Sequence, residues 1–470
     1  MKKIQCGAFL KILDLNENEL KQAIKNGKVV IAIYGAGKVG LPIAVVFAEL
    51  GANVIAVDVN EEVVKAINNG ENPVKNEAEM DEKFAKCIKN RNLKASTDLL
   101  KSAKMADIII VIVPTILDES KSLNVNPLMT AFENIGLGLT RGSLVILEST
   151  VPPNFMERNI KPILEQKSKL KAGIDFGLGF SPERVFSGRI IPDLVYRYPK
   201  IVSGINQKTT DVMATIYGMI AQKGVIKLSN MRTAEAMKIF EGIYRDVNIA
   251  LANELALIAE KLNIDIIELI EAANTQPFSN ILIPGAGVGG HCIPVYPYFL
   301  LNLQDLKGLE MKLTRTARQI NEYMPFHMVE LLEDGMKDLN KTYQNVNITI
   351  MGLAFRGDVK EYRNAPTLSV VNYLKSKVNN LKCFDPLFST EEIFTILGIQ
   401  GVNSLENAFI DADCLIFLTD HSLFKTLDLK KLVKKMRAPG LLVDGRHIFN
   451  PKNVIELGLH YKGVGRVIKA

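Results

Sequence analysis

Short apolar runs alternate with helical stretches along much of this chain of 470 residues. The first run, VVIAIY (29–34), leads into a glycine turn, and three more apolar runs follow at 52–60, 106–114 and 143–150. Strands that are apolar on both faces are typical of parallel sheets with helices on each side. A second series of the same kind begins near residue 345, so the pattern predicts an α/β fold with two sheets.

A long helical stretch separates the two series. The segment from Arg232 to Leu262 contains no proline and one glycine, Gly242, and its apolar residues recur at helical spacing. A helix of this length usually joins domains or forms a dimer interface. Shorter helices around a glycine-rich loop are expected over 263–330.

These observations together predict the fold class. We expect two Rossmann-like, doubly wound parallel-sheet domains joined by a long central helix and a helical middle domain. The expected bounds are an N-terminal extension (1–27) with a helix after Asn16, a first sheet domain (28–228), a central helical domain (229–330) and a second sheet domain (331–470).

Composition limits the possible partners. The chain has 57 basic and 51 acidic side chains, and this mild excess suits an anionic substrate such as a nucleotide diphosphate. Without a basic block, no nucleic-acid partner is expected. No apolar run reaches the length of about 18 residues that a membrane helix requires, and the N-terminal run is too short for a signal peptide.

Five cysteines are scattered along the chain, at positions 6, 87, 292, 383 and 414. Because no CxxC pair occurs, the spacing predicts neither a metal site nor a disulfide framework. A reducing cytoplasm is the simplest expectation.

A G-x-G-x-x-G motif connects the first strand to the next helix. Gly35 permits a tight turn, Gly37 lets the backbone approach a pyrophosphate, and Gly40 lets the helix lie close to the strand. Lys38 and Val39 lie between them, where free N–H groups at the helix N-terminus can bind phosphate. An accidental glycine turn is the alternative, but the strand and helix on either side favour dinucleotide binding.

Asp58 supports this interpretation. It ends the next strand, 23 residues after Gly35. A carboxylate there can accept hydrogen bonds from both ribose hydroxyls and would repel a 2′-phosphate. The motif therefore predicts NAD, and not NADP, as the cofactor.

Cys292 follows a loop with four glycines between residues 285 and 290. A lone cysteine is usually an inert small apolar residue. A thiolate among backbone N–H donors is, however, a plausible nucleophile. The adjacent His291 is a base, a substrate contact or a plain loop residue.

These motifs, with several further segments in the same order, resemble the UDP-glucose/GDP-mannose dehydrogenase family of nucleotide-sugar dehydrogenases. The resemblance extends over residues 28–466. Besides the glycine turn and the cysteine loop it rests on the central helix and on STVPPNF (149–155), FSPERVFSGR (180–189), GLAFRGDVKEYRNAP (352–366) and DGRHIF (444–449).

The resemblance implies roles for individual residues. Taken alone, Glu183 or Lys238 would more often be a solvated surface charge. The resemblance implies catalytic roles for Cys292, Lys238 and Glu183, cofactor contacts for Thr115, Thr150 and Arg363, and substrate contacts for Asn280, Gly289, His291, Arg356 and Arg446.

Two segments, SPERVFSGR and GGHCIPV, resemble the UDP-N-acetylhexosamine branch, which implies UDP-N-acetylmannosamine or UDP-N-acetylglucosamine as substrate. The implied reaction is a four-electron oxidation of the C6 alcohol to a carboxylate with two NAD⁺. Cys292 would carry a thiohemiacetal and then a thioester, Lys238 would stabilise the oxyanion, and Glu183 would activate the hydrolytic water.

The chain departs from the family pattern at two positions. Gly242 replaces an asparagine four residues after Lys238, and loss of one oxyanion donor can lower the rate about 10²–10³-fold. Tyr296 replaces an aspartate four residues after Cys292, and a phenol is a poor base at neutral pH. Tyr296 as a substitute hydrogen-bond donor is one hypothesis.

The departures leave two alternatives open. One is a UDP-sugar oxidoreductase that stops at two electrons or oxidises another carbon. The other is a nucleotide-sugar-binding protein with little catalysis.

The resemblance and the long helix also predict a homodimer or a dimer of dimers, in which Arg363 acts across the subunit boundary. Cys6, Cys87, Cys383 and Cys414 are expected to be structural.

Overall fold

The structure, a computed structural model, describes residues 11–118 and 121–467. The chain divides into two units, and the boundary between Phe240 and Glu241 falls inside the long helix that the sequence predicts. The four segments expected from the sequence remain a prediction. Cys6 lies outside the described residues.

The described part of the first unit contains ten strands. They are β1 (Val30–Tyr34), β2 (Asn53–Val57), β3 (Leu93–Ser96), β4 (Ile108–Val111), β5 (Ile116–Leu117), β6 (Leu123–Asn124), β7 (Leu144–Leu147), β8 (Gly177–Phe180), β9 (Lys200–Gly204) and β10 (Val225–Lys227). Eight of these described strands form one sheet in the order β10-β9-β8-β7-β4-β1-β2-β3, and β5 pairs with β6.

Helices connect these strands. They are α1 (Glu17–Lys25), α2 (Gly40–Glu49), α3 (Glu61–Asn68), α4 (Met80–Asn90), α5 (Leu99–Met105), α6 (Asn126–Gly138), α7 (Lys161–Ser168), α8 (Ile190–Pro192) and α9 (Gln207–Gly218). Helix α10 (Met231–Leu262) follows β10 and contains the boundary between the units. Asn16 caps α1 as expected: it accepts the N–H of Glu19, whose carboxylate accepts the N–H of Asn16.

The apolar strands of the first sheet are covered on both faces. Ile31 and Ile33 of β1 belong to one buried cluster, and Ala32 and Tyr34 belong to another. This burial explains why the strand sequence is apolar without alternation.

One pair of neighbours departs from the parallel arrangement expected from the sequence. Strand β9 is antiparallel to β8, whereas β10 is parallel to β9. Between β8 and β9 the chain forms only short helical segments over 190–197. An antiparallel neighbour needs no long crossover helix, which is why this connection is sufficient.

The second unit repeats the architecture with six strands among its described residues. They are β11 (Asn347–Met351), β12 (Asn380–Phe384), β13 (Gln400–Gly401), β14 (Cys414–Phe417), β15 (Gly440–Asp444) and β16 (Leu459–Gly463). Their order is β13-β12-β11-β14-β15-β16, and every neighbouring pair is parallel.

The helices of the second unit follow α10. They are α11 (Ile266–Ala273), α12 (Tyr296–Leu301), α13 (Lys312–Asp338), α14 (Pro366–Leu374), α15 (Thr390–Leu397), α16 (Leu405–Phe409), α17 (Ser422–Lys425), α18 (Leu429–Leu432) and α19 (Pro451–Glu456). Among the residues described, none of these helices combines the length and apolar character needed to cross a bilayer.

Helix α13 is longer than the sequence suggested. It runs for 27 residues through position 330, where the sequence analysis ended the helical domain, and it contains Pro325. Proline usually interrupts a helix because it lacks an N–H group. Here Pro325 is buried against the backbone of Gly287, so packing maintains the helix.

Candidate active site

The glycine turn after β1 lies where the strand order of the first sheet reverses, between β1 and β4. Gly35 has a φ of +97°, and a Cβ there would lie 2.7 Å from the carbonyl oxygen of Ile112, just after β4. Gly40 begins α2, and a Cβ there would collide with the carbonyl oxygen of Gly35. Ligands of open α/β sheets bind in the crevice at such a reversal.

Gly37 and Asp58 provide features that a dinucleotide requires. Apart from its immediate chain neighbours, no described residue has an atom within 4 Å of the position that a Cβ on Gly37 would occupy, so a ligand can approach this backbone. Asp58 accepts the N–H of Ala36 at 2.8 Å through Oδ2 and the N–H of Asn60 at 2.9 Å through Oδ1. The half-buried carboxylate is thereby oriented beside the turn, as ribose recognition requires.

Lys38 and Val39, which lie between Gly37 and Gly40, differ in environment. Val39 immediately precedes α2 and packs against the apolar core, so its side chain is structural. Lys38 is exposed. Any contact of Val39 with a cofactor would therefore be made by its backbone.

Two threonines expected near the cofactor lie on neighbouring loops at the carboxyl ends of β4 and β7. Thr115 Oγ1 donates to the carbonyl oxygen of Thr150 at 2.7 Å. Ser149 Oγ donates to the carbonyl oxygen of Val113 at 2.6 Å. These bonds connect the two loops at the edge that carries the glycine turn.

Glu183 follows β8 at the same edge, in a buried cluster of charged groups. Lys200 Nζ lies 2.7 Å from Glu183 Oε2 and 2.9 Å from Glu148 Oε2. The other oxygen of Glu148 accepts a hydrogen bond from the Tyr217 hydroxyl. Glu183 Oε1 accepts the N–H groups of its two following residues, at 2.6 and 3.0 Å.

The two carboxylates of this cluster differ in acidity. Burial works against ionisation of Glu183, but the Lys200 ammonium outweighs it and lowers the pKa of Glu183. Burial dominates at Glu148 and raises its pKa to about 7. Glu183 is therefore the ionised partner at neutral pH, and the proton of the pair stays with Glu148 to a higher pH.

Of this cluster, only Glu183 was predicted from the sequence; Lys200, Glu148 and Tyr217 were not. Because β9 is antiparallel to β8, its first residue, Lys200, lies beside the carboxyl end of β8. One available signal was a lysine at the start of the apolar run KIVSG, where a buried charge needs a partner.

Helix α10 carries Lys238, which is half-buried and precedes Gly242 by one turn. One turn earlier, the buried Glu235 accepts the N–H groups of Asn154 and Met156 at 2.6 and 2.8 Å. Burial raises the pKa of Glu235 to about 7. The helix is therefore tied to the STVPPNF segment that contains Thr150.

The glycine-rich loop of the second unit is packed between protein surfaces. A Cβ on Gly289 would lie 2.5 Å from Phe355 Cβ, and one on Gly290 would lie 3.0 Å from the Phe355 ring. A Cβ on Gly285 would lie 3.1 Å from the carbonyl oxygen of Gly445. These three glycines therefore permit close approach of other segments of the protein.

Cys292 lies at the end of this loop, four residues before the first residue of α12. Its carbonyl oxygen accepts the N–H groups of Val295 at 3.1 Å and Tyr296 at 2.9 Å, which form a tight turn. The thiol-bearing residue is half-buried, whereas Cys87, Cys383 and Cys414 are fully buried. Burial raises the pKa of Cys87 to about 11 and that of Cys414 to about 12, in keeping with inert structural thiols.

Two expected substrate contacts lie on exposed parts of the second unit. His291 is 41% exposed, and its Nε2 is 4.0 Å from a carboxylate oxygen of Glu361. Asn280 is exposed in the loop after α11.

The three expected arginines lie in loops at the carboxyl edge of the second sheet. Arg446 Nε donates to Leu418 O at 2.9 Å, and its Nη2 donates to Phe355 O at 3.3 Å, so it joins three loops. Arg356 is half-buried beside the Phe355 ring. Arg363 is exposed, and its carbonyl oxygen accepts the N–H of Gly290 at 2.8 Å.

The second sheet repeats one contact of the first. Leu353 follows Gly352, the first residue after β11, and donates its N–H to Asp385, the first residue after β12, at 2.7 Å. Asp385 also accepts hydrogen bonds from Ala354, Leu387 and His421, and is 2% exposed. Unlike Asp58, this carboxylate has no free face for a ribose.

Three consecutive segments of the chain match domain models of one family. The NAD binding domain of the UDP-glucose/GDP-mannose dehydrogenase family matches residues 29–221, its central domain matches 232–323, and its UDP binding domain matches 349–451. The fold, the oriented Asp58 and the open Gly37 agree with the cofactor that the first description names.

Individual proteins are similar over nearly the whole chain. A UDP-N-acetyl-D-mannosamine dehydrogenase of Pyrococcus horikoshii is 36% identical over 438 residues, which cover 93% of this chain and 99% of that protein. A UDP-N-acetyl-D-glucosamine 6-dehydrogenase of Pseudomonas aeruginosa is 31% identical over 423 residues, 89% of this chain and 97% of that protein. A solved structure of a UDP-D-ManNAc dehydrogenase from Pyrococcus horikoshii has a TM-score of 0.85 at 34% identity and covers 93% and 99% of the two chains.

Proposed function

The chain belongs to the UDP-glucose/GDP-mannose dehydrogenase family, and on this premise we propose that it oxidises the C6 alcohol of a UDP-N-acetylhexosamine to the uronate. It is an NAD-dependent nucleotide-sugar dehydrogenase. UDP-N-acetylmannosamine is the first candidate substrate, because the similar proteins of this specificity include one that is 36% identical. UDP-N-acetylglucosamine is the second candidate.

The observation that carries the proposed chemistry is the environment of Cys292. Of the described cysteines, it alone is not fully buried, and it lies in a turn fixed by two hydrogen bonds to its own carbonyl oxygen. A nucleophile must be both accessible and held in place. We assign to Cys292 the addition to the C6 aldehyde that gives a thiohemiacetal, and then the thioester.

Bound at the Gly35–Gly40 turn and Asp58, NAD⁺ would accept one hydride in each of the two oxidations. The Lys238 ammonium stabilises the oxyanion on the reacting carbon. Ionised Glu183 accepts a proton from the water that cleaves the thioester, which releases the carboxylate and the Cys292 thiol. These roles come from the family resemblance, and Lys200 supports them by keeping Glu183 ionised.

The decisive experiment counts NADH formed per sugar with limiting UDP-N-acetylmannosamine, UDP-N-acetylglucosamine or UDP-glucose and excess NAD⁺. We expect two NADH per molecule of one UDP-N-acetylhexosamine, with release of the uronate. Cys292→Ala should form at most one, because no thioester can form, while Cys87→Ala controls for loss of a thiol. One NADH from the wild type would support a two-electron oxidoreductase, and binding without NADH would support a binding protein.

We further propose a homodimer built on α10. Tyr244, Leu251 and Ile258 recur every seven residues on this helix and are 67%, 47% and 48% exposed, and Leu262 continues the stripe at 62%. An apolar seam with this spacing is typical of a helix that packs against another helix. A dimer of dimers, action of Arg363 across subunits and a cytoplasmic location remain predictions.

A further inference from the structure

Gly242 is the only glycine in the 32 residues of α10, and the helix itself does not explain it. Glycine in a helix interior is less favourable than alanine. The explanation lies in tertiary packing: a Cβ on Gly242 would lie 2.5 Å from Cδ2 of Tyr296 and 3.3 Å from its Cβ and Cγ. Any other residue would displace the tyrosine ring, so Gly242 forms a notch in which the ring lies.

Tyr296 is rigidly connected to Cys292. It is the first residue of α12, its side chain is 8% exposed, and its N–H donates to the Cys292 carbonyl oxygen at 2.9 Å. One helical turn therefore separates the residue in the notch from the thiol. Displacement of the ring would move the turn that carries Cys292.

The other end of the cysteine loop is attached to the same helix. The N–H of Gly285 donates to Asn253 Oδ1 at 2.9 Å, and Asn253 Nδ2 donates to Asn321 Oδ1 at 2.9 Å. Asn321 Nδ2 in turn donates to Asp246 Oδ1 at 2.8 Å.

These attachments share one face of α10. Gly242, Asp246 and Asn253 are separated by four and seven residues, which places them on one side of a helix. The loop is therefore fixed to one helix face by polar contacts at its start and by the tyrosine ring at its end.

We propose that Tyr296 is a positioning residue for Cys292, and that it acts through its ring in the Gly242 notch. This inference rests on the proposed role of Cys292 as the nucleophile. The ring, not the hydroxyl, makes the contact, so Tyr296→Phe should retain the function and Tyr296→Ala should lose it. A shift of a reacting atom by about 1 Å can lower a rate about 10²-fold, which sets the scale of the effect.

The test compares wild type, Tyr296→Phe, Tyr296→Ala and Gly242→Ala. Gly218→Ala is the matched control, because Gly218 is also helical and a Cβ there would meet its nearest neighbour only at 3.9 Å. We would measure kcat and KM from NADH formation, the rate of Cys292 alkylation by iodoacetamide across pH, and the thermal midpoint. Cys292→Ser shows how much alkylation occurs at other thiols.

For Tyr296→Ala and Gly242→Ala we expect kcat to fall about 10²-fold with a much smaller change in KM, and the alkylation profile to change. Tyr296→Phe and Gly218→Ala should stay near wild type. In the Tyr296→Ala background, Gly242→Ala should lower the thermal midpoint no further, because the collision is removed. If Tyr296→Ala does not fold, Tyr296→Leu and Gly242→Ala provide the same comparison.

A wild-type alkylation profile in Tyr296→Ala or Tyr296→Leu would overturn the inference. Equal losses in Tyr296→Phe and Tyr296→Ala would overturn it as well, because they would assign the effect to the hydroxyl. The alkylation measurement needs no substrate, so it tests the positioning role of Tyr296 separately from UDP-sugar oxidation. If the wild type oxidises no UDP-sugar but the alkylation profile still changes in the variants, the positioning role is supported and the proposed function is contradicted.

Discussion

Lys200 is a single buried cation between two carboxylates, and its effect on them is unequal. Glu183 receives the ammonium and two backbone N–H groups, whereas Glu148 receives the ammonium and the Tyr217 hydroxyl. A carboxylate with this many donors is fixed in direction as well as in charge. Lys200 and two backbone N–H groups therefore hold the side chain that is assigned to the hydrolytic step.

Replacing Lys200 with methionine tests this arrangement. The change keeps an unbranched side chain but leaves two buried carboxylates without their counter-ion, so we expect the free energy of unfolding to fall by about 3–5 kcal/mol. Urea unfolding followed by circular dichroism measures it.

Lys208→Met is the matched control, since Lys208 pairs with Asp14 on the surface and both side chains are more than half exposed. Solvent screens such a pair, so its loss should change stability much less. Equal stability of the two variants would contradict the account given for Lys200.

At this scale, motifs located some site residues and could not locate others. Gly35, Gly40 and Asp58 follow from local spacing, because a turn and two consecutive strands bring them together. Lys200 lies 17 residues after Glu183, and only the antiparallel pairing of β8 and β9 makes them neighbours. The Gly242 notch likewise depends on contact between Gly242 and Tyr296, which are 54 residues apart, and no local pattern predicts this contact.

Among the elements, the apolar strands and the ends of α10 could be predicted from the sequence. The full length of α13, which depends on tertiary packing, could not. The run at 106–114 contains β4, and the stretch at 232–262 coincides with α10 within one residue. Helix α13 was not predicted at its full length, since only shorter helices were expected up to residue 330, and Pro325 opposes a helix locally. Its continuity comes from burial, which a sequence pattern does not report.

Helix α13 also carries a pH-sensitive contact with α10. His327 Nδ1 lies 3.0 Å from Glu330 and Nε2 lies 2.9 Å from Glu260. Burial disfavours the charged imidazolium, but the two carboxylates outweigh it and raise the pKa of His327. Since the folded pKa is raised, this stabilisation is complete below the unfolded pKa near 6.5 and is lost as the pH rises through the folded value.

His327→Gln should therefore lower stability most at low pH. We expect a loss of about 1.5–3 kcal/mol near pH 6, the range for hydrogen bonds to charged groups, and a smaller loss as the pH is raised. Thermal unfolding of both proteins from pH 6 to 9 measures the difference.

His460→Gln removes an exposed histidine from β16 and serves as the control. If His327→Gln lowers stability by the same amount at every pH from 6 to 9, the charged imidazolium of His327 is not the source of the stabilisation.

At the scale of the whole molecule, the sequence predicted two sheets of the same kind, and the structure confirms this. The two units share the contact between the residue after the first glycine and the acid at the end of the next strand, at 2.8 Å in one and 2.7 Å in the other. The sequences around the two glycines differ, so the repetition is visible in the backbone contact and not in the residue pattern.

The proposed homodimer makes a prediction about mass. Leu251→Glu places a charge in the apolar stripe of α10, and we expect sedimentation to change from a species of twice the 52.0 kDa chain mass to a single chain. Phe394→Glu, which alters an apolar side chain of α15 that is 63% exposed, should leave the dimer intact. A monomeric wild type would refute the proposal.

Asp385 has a consequence for a chain that contains two similar nucleotide-binding architectures. Such a chain risks loading the same dinucleotide twice, which would block the site meant for the sugar nucleotide. The carboxylate that could hold an adenosine ribose in the second unit is occupied by four internal donors. Because these internal donors occupy Asp385, the second unit lacks the accessible ribose acceptor that Asp58 provides in the first unit.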